Sequence, residues 1–268
     1  MTEFLNIMGL PLIACFILAG MHAYLGIHVI ERQIIFVDLA LAQMAALGAS
    51  FALMLGYSID SLHAYGISLA FTWIGAAFFA GTRFKKHVLP QEVIIGILYA
   101  VSAAALMLLV SRSGEGDEYI KQALFGNILL VPSHEVLKLA LLYIAMGLFH
   151  YQFRTQFVCI SQNPTLAYQK KMKVRWWDFL FYASFGIVVT SSVKIAGVLL
   201  VFSFLVVPSA IAFIFSKRIQ IRWLLGWLIG ILASLLGITA SYYLDLPTAA
   251  SIVAIFGILF LISLCKRA

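Results

Sequence analysis

Apolar residues in this sequence come in unbroken blocks rather than in alternation, and several blocks reach the ~20 residues a helix needs to cross a hydrocarbon core ~30 Å thick. Strands of a membrane barrel would instead alternate apolar and polar residues over segments of ~10. Only 11% of the residues are charged while 63% are hydrophobic, too little polar surface to clothe a soluble domain of this length. The expected fold class is therefore all-α and integral to the membrane: a polytopic bundle of about eight or nine transmembrane helices, forming one transmembrane domain over 1–268. Cys15, Cys159 and Cys265 are far apart, with no metal-type spacing, and read as small apolar residues. The first apolar block lacks a basic leader and reads as the first span rather than a cleaved signal.

Nine spans are expected, at about 9–29, 34–56, 62–82, 92–111, 135–153, 177–193, 195–216, 223–243 and 247–265. With the carboxy terminus assigned to the cytoplasm, one side receives Arg32, Arg83, Lys85, Lys86, Arg154, Lys170, Lys171, Lys173, Arg175, Lys217, Arg218, Arg222, Lys266 and Arg267. The other side receives only Arg112, Lys121, Lys138 and Lys194 of the 18 Lys and Arg residues. That asymmetry obeys the rule that basic residues stay inside. It predicts an outer amino terminus and an inner carboxy terminus, and it explains the +7 net charge without nucleic acid.

Within the longest outer loop, "YIKQALFGNILL" (119–130) reads as a short interfacial or re-entrant helix, too brief to span. On the inner side, Asn163-Pro164 signals a helix start, and the basic run behind it ends at Trp176-Trp177 at the interface. The sixth and seventh spans are joined only by "TSSVK" (190–194). A joint this short predicts irregular backbone, tolerated at depth only against protein or water. Gly226 and Gly230 form a GxxxG pair, expected to pack on a neighbouring helix or a second copy. No GxxxxGK[ST] loop is present, so any ATP hydrolysis belongs to a partner and the chain is not itself an enzyme.

Three stretches resemble the membrane subunits of bacterial ABC importers for zinc, manganese and iron: "GIHVIERQIIFVDLALAQMAALGAS" (26–50), "LFGNIL" (124–129) and "IAGVLLVFSFLVVPSAIAFIFSKR" (195–218). The loop at about 160–175 sits where that family places its coupling helix. The resemblance implies a type II-like permease that works by alternating access. Its implied partners are an ABC ATPase subunit, an extracytoplasmic metal-binding protein, a second copy of itself and the lipid bilayer. It binds no permanent cofactor, the divalent metal being cargo. Contact with the ATPase falls to Asn163, Pro164, Tyr168, Lys170 and Lys171. Alternatives are a permease for a metal chelate such as a siderophore and an ion-coupled secondary carrier.

Near the start of span two the family usually carries Gly-Asp-Ala-x-Ser-His, with Asp and His one turn apart on one face. Here Leu39 stands at the Asp position and Gln43 at the His position, while Asp38 replaces the preceding Gly. Replacement ligands follow from depth. At ~1.5 Å per residue, Asp38 lies about 6 Å and Gln43 about 13 Å into span two, and His22 about 10 Å above residue 29. His22, Asp38 and Gln43 are thus the expected metal ligands, ionisable groups inside a membrane being costly and by default functional. A purely structural reading instead has His22 hydrogen-bonded between helices, Asp38 paired with Arg32 and Gln43 bonded to backbone. Further candidates are His63 with Asp60 and His134 with Glu135 at the outer rim. Glu92 could pair with Lys86 or His87. His28 and Glu31 flank the first turn, Lys194 either snorkels outward or lies near the exit of a channel, and His150 is expected at the interface.

Overall fold

The computed structural model of this chain describes residues 2–58, 61–83, 89–111 and 126–265. Among them no strand occurs. The helices are α1 (Thr2–Arg32), α2 (Val37–Met54), α3 (Leu62–Gly81), α4 (Gln91–Val110), α5 (Ser133–Gln152), α6 (Arg154–Gln162), α7 (Pro164–Gln169), α8 (Val174–Phe215), α9 (Ile219–Leu244) and α10 (Thr248–Cys265), with a 3-10 turn at Ile128–Leu130. Seven are long and apolar enough to cross a membrane singly, and the pair α5–α6, bent by 73°, makes an eighth.

Nine spans were expected, and the difference lies in α8. Its 42 residues would run about 63 Å, twice the hydrocarbon thickness. The helix is broken at Gly197, with φ 75 and ψ 160, so α8 holds two of the expected spans. The break falls at Gly197 rather than at 193–195, because Val193 and Lys194 continue the helix and glycine supplies the positive φ. Of the expected helix in 119–130, residues 119–125 lie outside the described residues, and the remainder is the 3-10 turn.

Cα packing divides the chain into two compact units. The first comprises Met1–Ile30, Gln122–Gly147 and Ser192–Ala268. Here α1 lies against α9 and the second half of α8 through small residues. A Cβ on Gly226 would meet Ala23 at 3.1 Å, and one on Gly230 would meet Ala19 at 2.8 Å. The GxxxG pair therefore packs on a small-residue pair of the same spacing in its own chain. Gly26 faces the other way, where a Cβ would lie 2.0 Å from the Leu205 carbonyl oxygen. The indoles of Trp223 and Trp227 donate to the Gly20 and Phe16 carbonyls at 3.0 and 3.2 Å.

The second unit comprises Glu31–Lys121 and Leu148–Ser191. Its α2 packs on α3 and α4. Gly48 admits the backbone of Ser68, 2.7 Å from where its Cβ would stand. The first half of α8 packs on α3, where Thr72 Oγ1 meets Thr190 Oγ1 at 3.2 Å and Tyr65 Oη meets Ser191 Oγ at 3.0 Å.

Candidate functional site

His22 on α1 is fully buried, and its Nδ1 donates to the Leu18 carbonyl at 2.9 Å. A carbonyl only accepts, so this bond places the ring proton on Nδ1 and leaves a bare lone pair on Nε2. Nε2 is buried and has no hydrogen-bond partner among the described residues. A histidine oriented through one nitrogen with the other bare is the state in which imidazole binds a metal.

The turn after α1 reverses through Gln33, at φ 56, and α2 begins at Val37 with Phe36 at its N-cap. Phenylalanine cannot cap, and the acceptor comes from another helix: Glu92 at the start of α4 takes the Phe36 N–H at 3.0 Å. Glu92 thus caps α2, whereas its expected partners Lys86 and His87 lie outside the described residues. In the first turn of α2, Asp38 is 1% exposed, and neither carboxylate oxygen has a hydrogen-bond partner among the described residues. The helix N-terminus favours that negative charge but does not satisfy its lone pairs. Gln43 Oε1 and Ser50 Oγ are also buried without partners. At ~100° per residue Asp38 and Gln43 diverge by about 140° around α2, while Gln43 and Ser50 share a face to within about 20°. The helix thus presents donors on two faces. Among the described residues no three His, Cys, Asp or Glu side chains gather as a metal cluster.

Within 154–177 the helix start expected at Asn163-Pro164 is present, preceded by a helix, α6, that the sequence reading did not anticipate. Asn163 Oδ1 accepts the Leu166 N–H at 3.0 Å, and Pro164 occupies the first turn of α7. Lys171 ends the strip at φ 54, its N–H reaching the Tyr168 carbonyl at 3.0 Å. Ala167 is buried with Ile160 and Val174, and Tyr168, Met172 and Trp177 pack around them. Asn163, Pro164, Leu166, Lys170 and Lys171 stay exposed on a scaffold fixed from behind.

The remaining candidates separate. Tyr57 stacks on His63 at 5.0 Å, and Asp60 lies outside the described residues. His134 and Lys138 both reach Glu135, at 3.5 and 3.0 Å, on the surface. His150 is 2% exposed and 2.9 Å from Ser184 Oγ inside an aromatic cluster with Phe157 and Phe181.

The description of the ABC 3 transport family matches residues 5–267. This chain belongs to the ABC 3 transport family. It is 26% identical over 246 residues to the "Probable metal transport system membrane protein" of Chlamydia muridarum, covering 90% of this chain and 83% of that one. To the manganese import system permease protein ScaB of Streptococcus gordonii it is 27% identical over 229 residues, 78% of this chain and 80% of that one. Its fold is similar to that in the structure of PsaBC from Streptococcus pneumoniae in complex with Fab, with a TM-score of 0.81 and 21% identity, covering 98% of this chain and 94% of that one. Membership sets the chain among multi-pass ABC transport proteins and apart from ion-coupled secondary carriers.

A buried ion-pair cluster in this ABC 3 family chain is not legible in its sequence. Asp178, at the start of α8, is fully buried between two guanidinium groups. Arg32 Nη1 donates to its Oδ1 at 2.7 Å, and Arg83 Nη1 donates to its Oδ2. Arg32 also donates through Nε to Ser161 Oγ on α6 at 2.8 Å and lies 4.0 Å over the Phe181 ring. Arg32 is thus committed to Asp178 and not to Asp38. Burial opposes the charge on Arg83, and the adjoining Asp178 carboxylate more than offsets this, holding its pKa above the ordinary guanidinium value. One carboxylate therefore ties together the ends of α1, α3 and α8, and Arg32 links them to α6. The sequence signals only an acidic residue inside the edge of a span, where a charge needs a partner.

Proposed function

We propose that this chain is the membrane-spanning permease subunit of an ATP-binding cassette importer that carries a divalent transition-metal ion inward across the bacterial inner membrane by alternating access. Membership of the ABC 3 family and similarity to proteins named for metal and manganese transport support the class. The observation that carries the cargo assignment is the set of buried donors without partners: His22 Nε2, both Asp38 carboxylate oxygens and Gln43 Oε1. A buried polar group without a partner costs free energy, so these atoms answer to something that visits. Two of these three side chains offer oxygen, which suits manganese(II) or iron(II) better than zinc, which prefers nitrogen and sulfur. His22, Asp38 and Gln43 take the ion in turn, each weakly enough to release it.

The exposed strip bearing Asn163, Pro164, Tyr168, Lys170 and Lys171 receives the ATPase subunit, with the amino terminus outside and the carboxy terminus in the cytoplasm. A second copy of the chain and an extracytoplasmic metal-binding protein complete the importer. The test is uptake of radiolabelled manganese by proteoliposomes holding the assembled complex. His22→Ala and Asp38→Ala lower it at least tenfold with assembly intact, and unchanged uptake in both variants would remove these residues from the path.

A further inference from the structure

Between α1 and α9 a groove of about 270 Å³ opens on the surface of two membrane-spanning helices, lined by Leu12, Ile13, Phe16, Ile231, Ser234 and Leu235. Ile13, Phe16 and Leu235 are each about half exposed, at 52%, 48% and 47%. Ser234, the one polar lining residue, donates its hydroxyl to the Gly230 carbonyl at 2.7 Å, so the groove asks for no polar ligand. Phe16 closes one end against Trp227, ring centroids 5.0 Å apart, and Trp227 stacks on Trp223 at 5.8 Å and 14°. Beyond Trp223, at the start of α9, stand Lys217 and Arg218, exposed and in no ion pair among the described residues.

We propose that this groove is a binding site for one acyl chain of an anionic phospholipid whose headgroup is held by Lys217 and Arg218. The spacing fits. Tryptophan marks the edge of the hydrocarbon. At ~1.5 Å per residue, Ile231 and Leu235 lie about 12 and 18 Å along α9 from Trp223, against a leaflet of about 15 Å. The terminal part of a chain anchored at that edge reaches the groove. Charge fits as well, since two basic residues at the membrane surface attract an anionic headgroup by ~1 kcal/mol each. A helix from a second copy would need a ridge of small residues to approach closely. The small-residue ridge that would draw such a helix, Gly226 and Gly230, is already filled by Ala23 and Ala19.

The assembled complex is reconstituted in vesicles of equal phosphatidylcholine and phosphatidylglycerol, extracted in mild detergent and weighed by native mass spectrometry. The expected result is about one retained phosphatidylglycerol per copy of this chain, at least fivefold over phosphatidylcholine. Leu235→Trp and, independently, Ile13→Trp fill the groove and abolish retention. Lys217→Ala with Arg218→Ala leaves a retained lipid but erases the headgroup preference. Failure of the wild-type complex to retain lipid would overturn the proposal. So would retention undiminished in both tryptophan variants, a preference unmoved by the double alanine variant, or copy-to-copy disulfides trapping Leu235→Cys.

Discussion

Gly126 lies so close to the broken peptide of α8 that a Cβ on it would stand 2.3 Å from both the Ala196 carbonyl carbon and the Gly197 nitrogen. Both glycines have positive φ, 61 and 75, and the next residue, Asn127, donates its N–H to the Ile195 carbonyl at 3.1 Å. A helix that ends inside the membrane leaves its last carbonyls without donors. The Asn127 N–H supplies one of them.

Gly197→Ala therefore forces an L-residue into a region reserved for glycine, at about 1–3 kcal/mol. Gly126→Ala adds a backbone clash to the same penalty and is the more damaging of the two. Melting in detergent, followed by circular dichroism, is expected to rank them wild type, Gly197→Ala, Gly126→Ala in falling stability. Equal melting of all three would mean that the break does not depend on this contact.

Asp178 makes a different demand. Replacing it with Asn leaves the guanidinium groups of Arg32 and Arg83 without their carboxylate, and breaking one side of a buried ion pair costs about 3–5 kcal/mol. Arg83 is 19% exposed on its side chain against 2% for Arg32, so Arg83→Ala is expected to cost less than Arg32→Ala. Combining Asp178→Asn with Arg32→Ala should cost less than the sum of the two, since they remove the same bond. Additive losses in urea or thermal unfolding would deny the coupling.

These two relationships show where the sequence is readable and where it is not. Span ends in α2, α3, α4 and α10 lie within about three residues of expectation, because apolar length is a one-dimensional property. The Asn163-Pro164 start is equally local and equally legible. Gly197 was hidden because apolar character runs unbroken across it while Lys194 drew attention to the wrong turn. Asp178 was passed over since its partners stand 146 and 95 residues away, on α1 and beyond α3. Glu92 capping α2 from α4 is likewise a pairing in space that no local pattern announces.

At the α7 strip, Asn163→Ala removes the side-chain acceptor for Leu166, worth ~1 kcal/mol of local helix stability. The global fold should barely change, since Ala167, Ile160 and Val174 still pack behind the strip. The expected signature is therefore functional: metal-stimulated ATP hydrolysis by the reconstituted complex falls severalfold while the melting temperature moves by a few degrees at most. Lys170→Glu with Lys171→Glu should weaken recruitment of the ATPase outright, measured by co-purification. Full activity in both variants would place the motor contact elsewhere.

Gln43→His tests the cargo assignment by changing the donor rather than deleting it. Its oxygen is buried and without a hydrogen-bond partner, so a ring of similar reach meets no bond that must first be broken. Imidazole in place of an amide oxygen raises the nitrogen count of the donor set, and zinc gains more from nitrogen than manganese does. In proteoliposomes supplied with labelled manganese and rising unlabelled zinc, the variant is expected to be inhibited at zinc concentrations about tenfold lower than wild type. A tenfold shift corresponds to about 1.4 kcal/mol, the scale of one exchanged donor. An unchanged zinc profile would mean that the ion never reaches this face of α2.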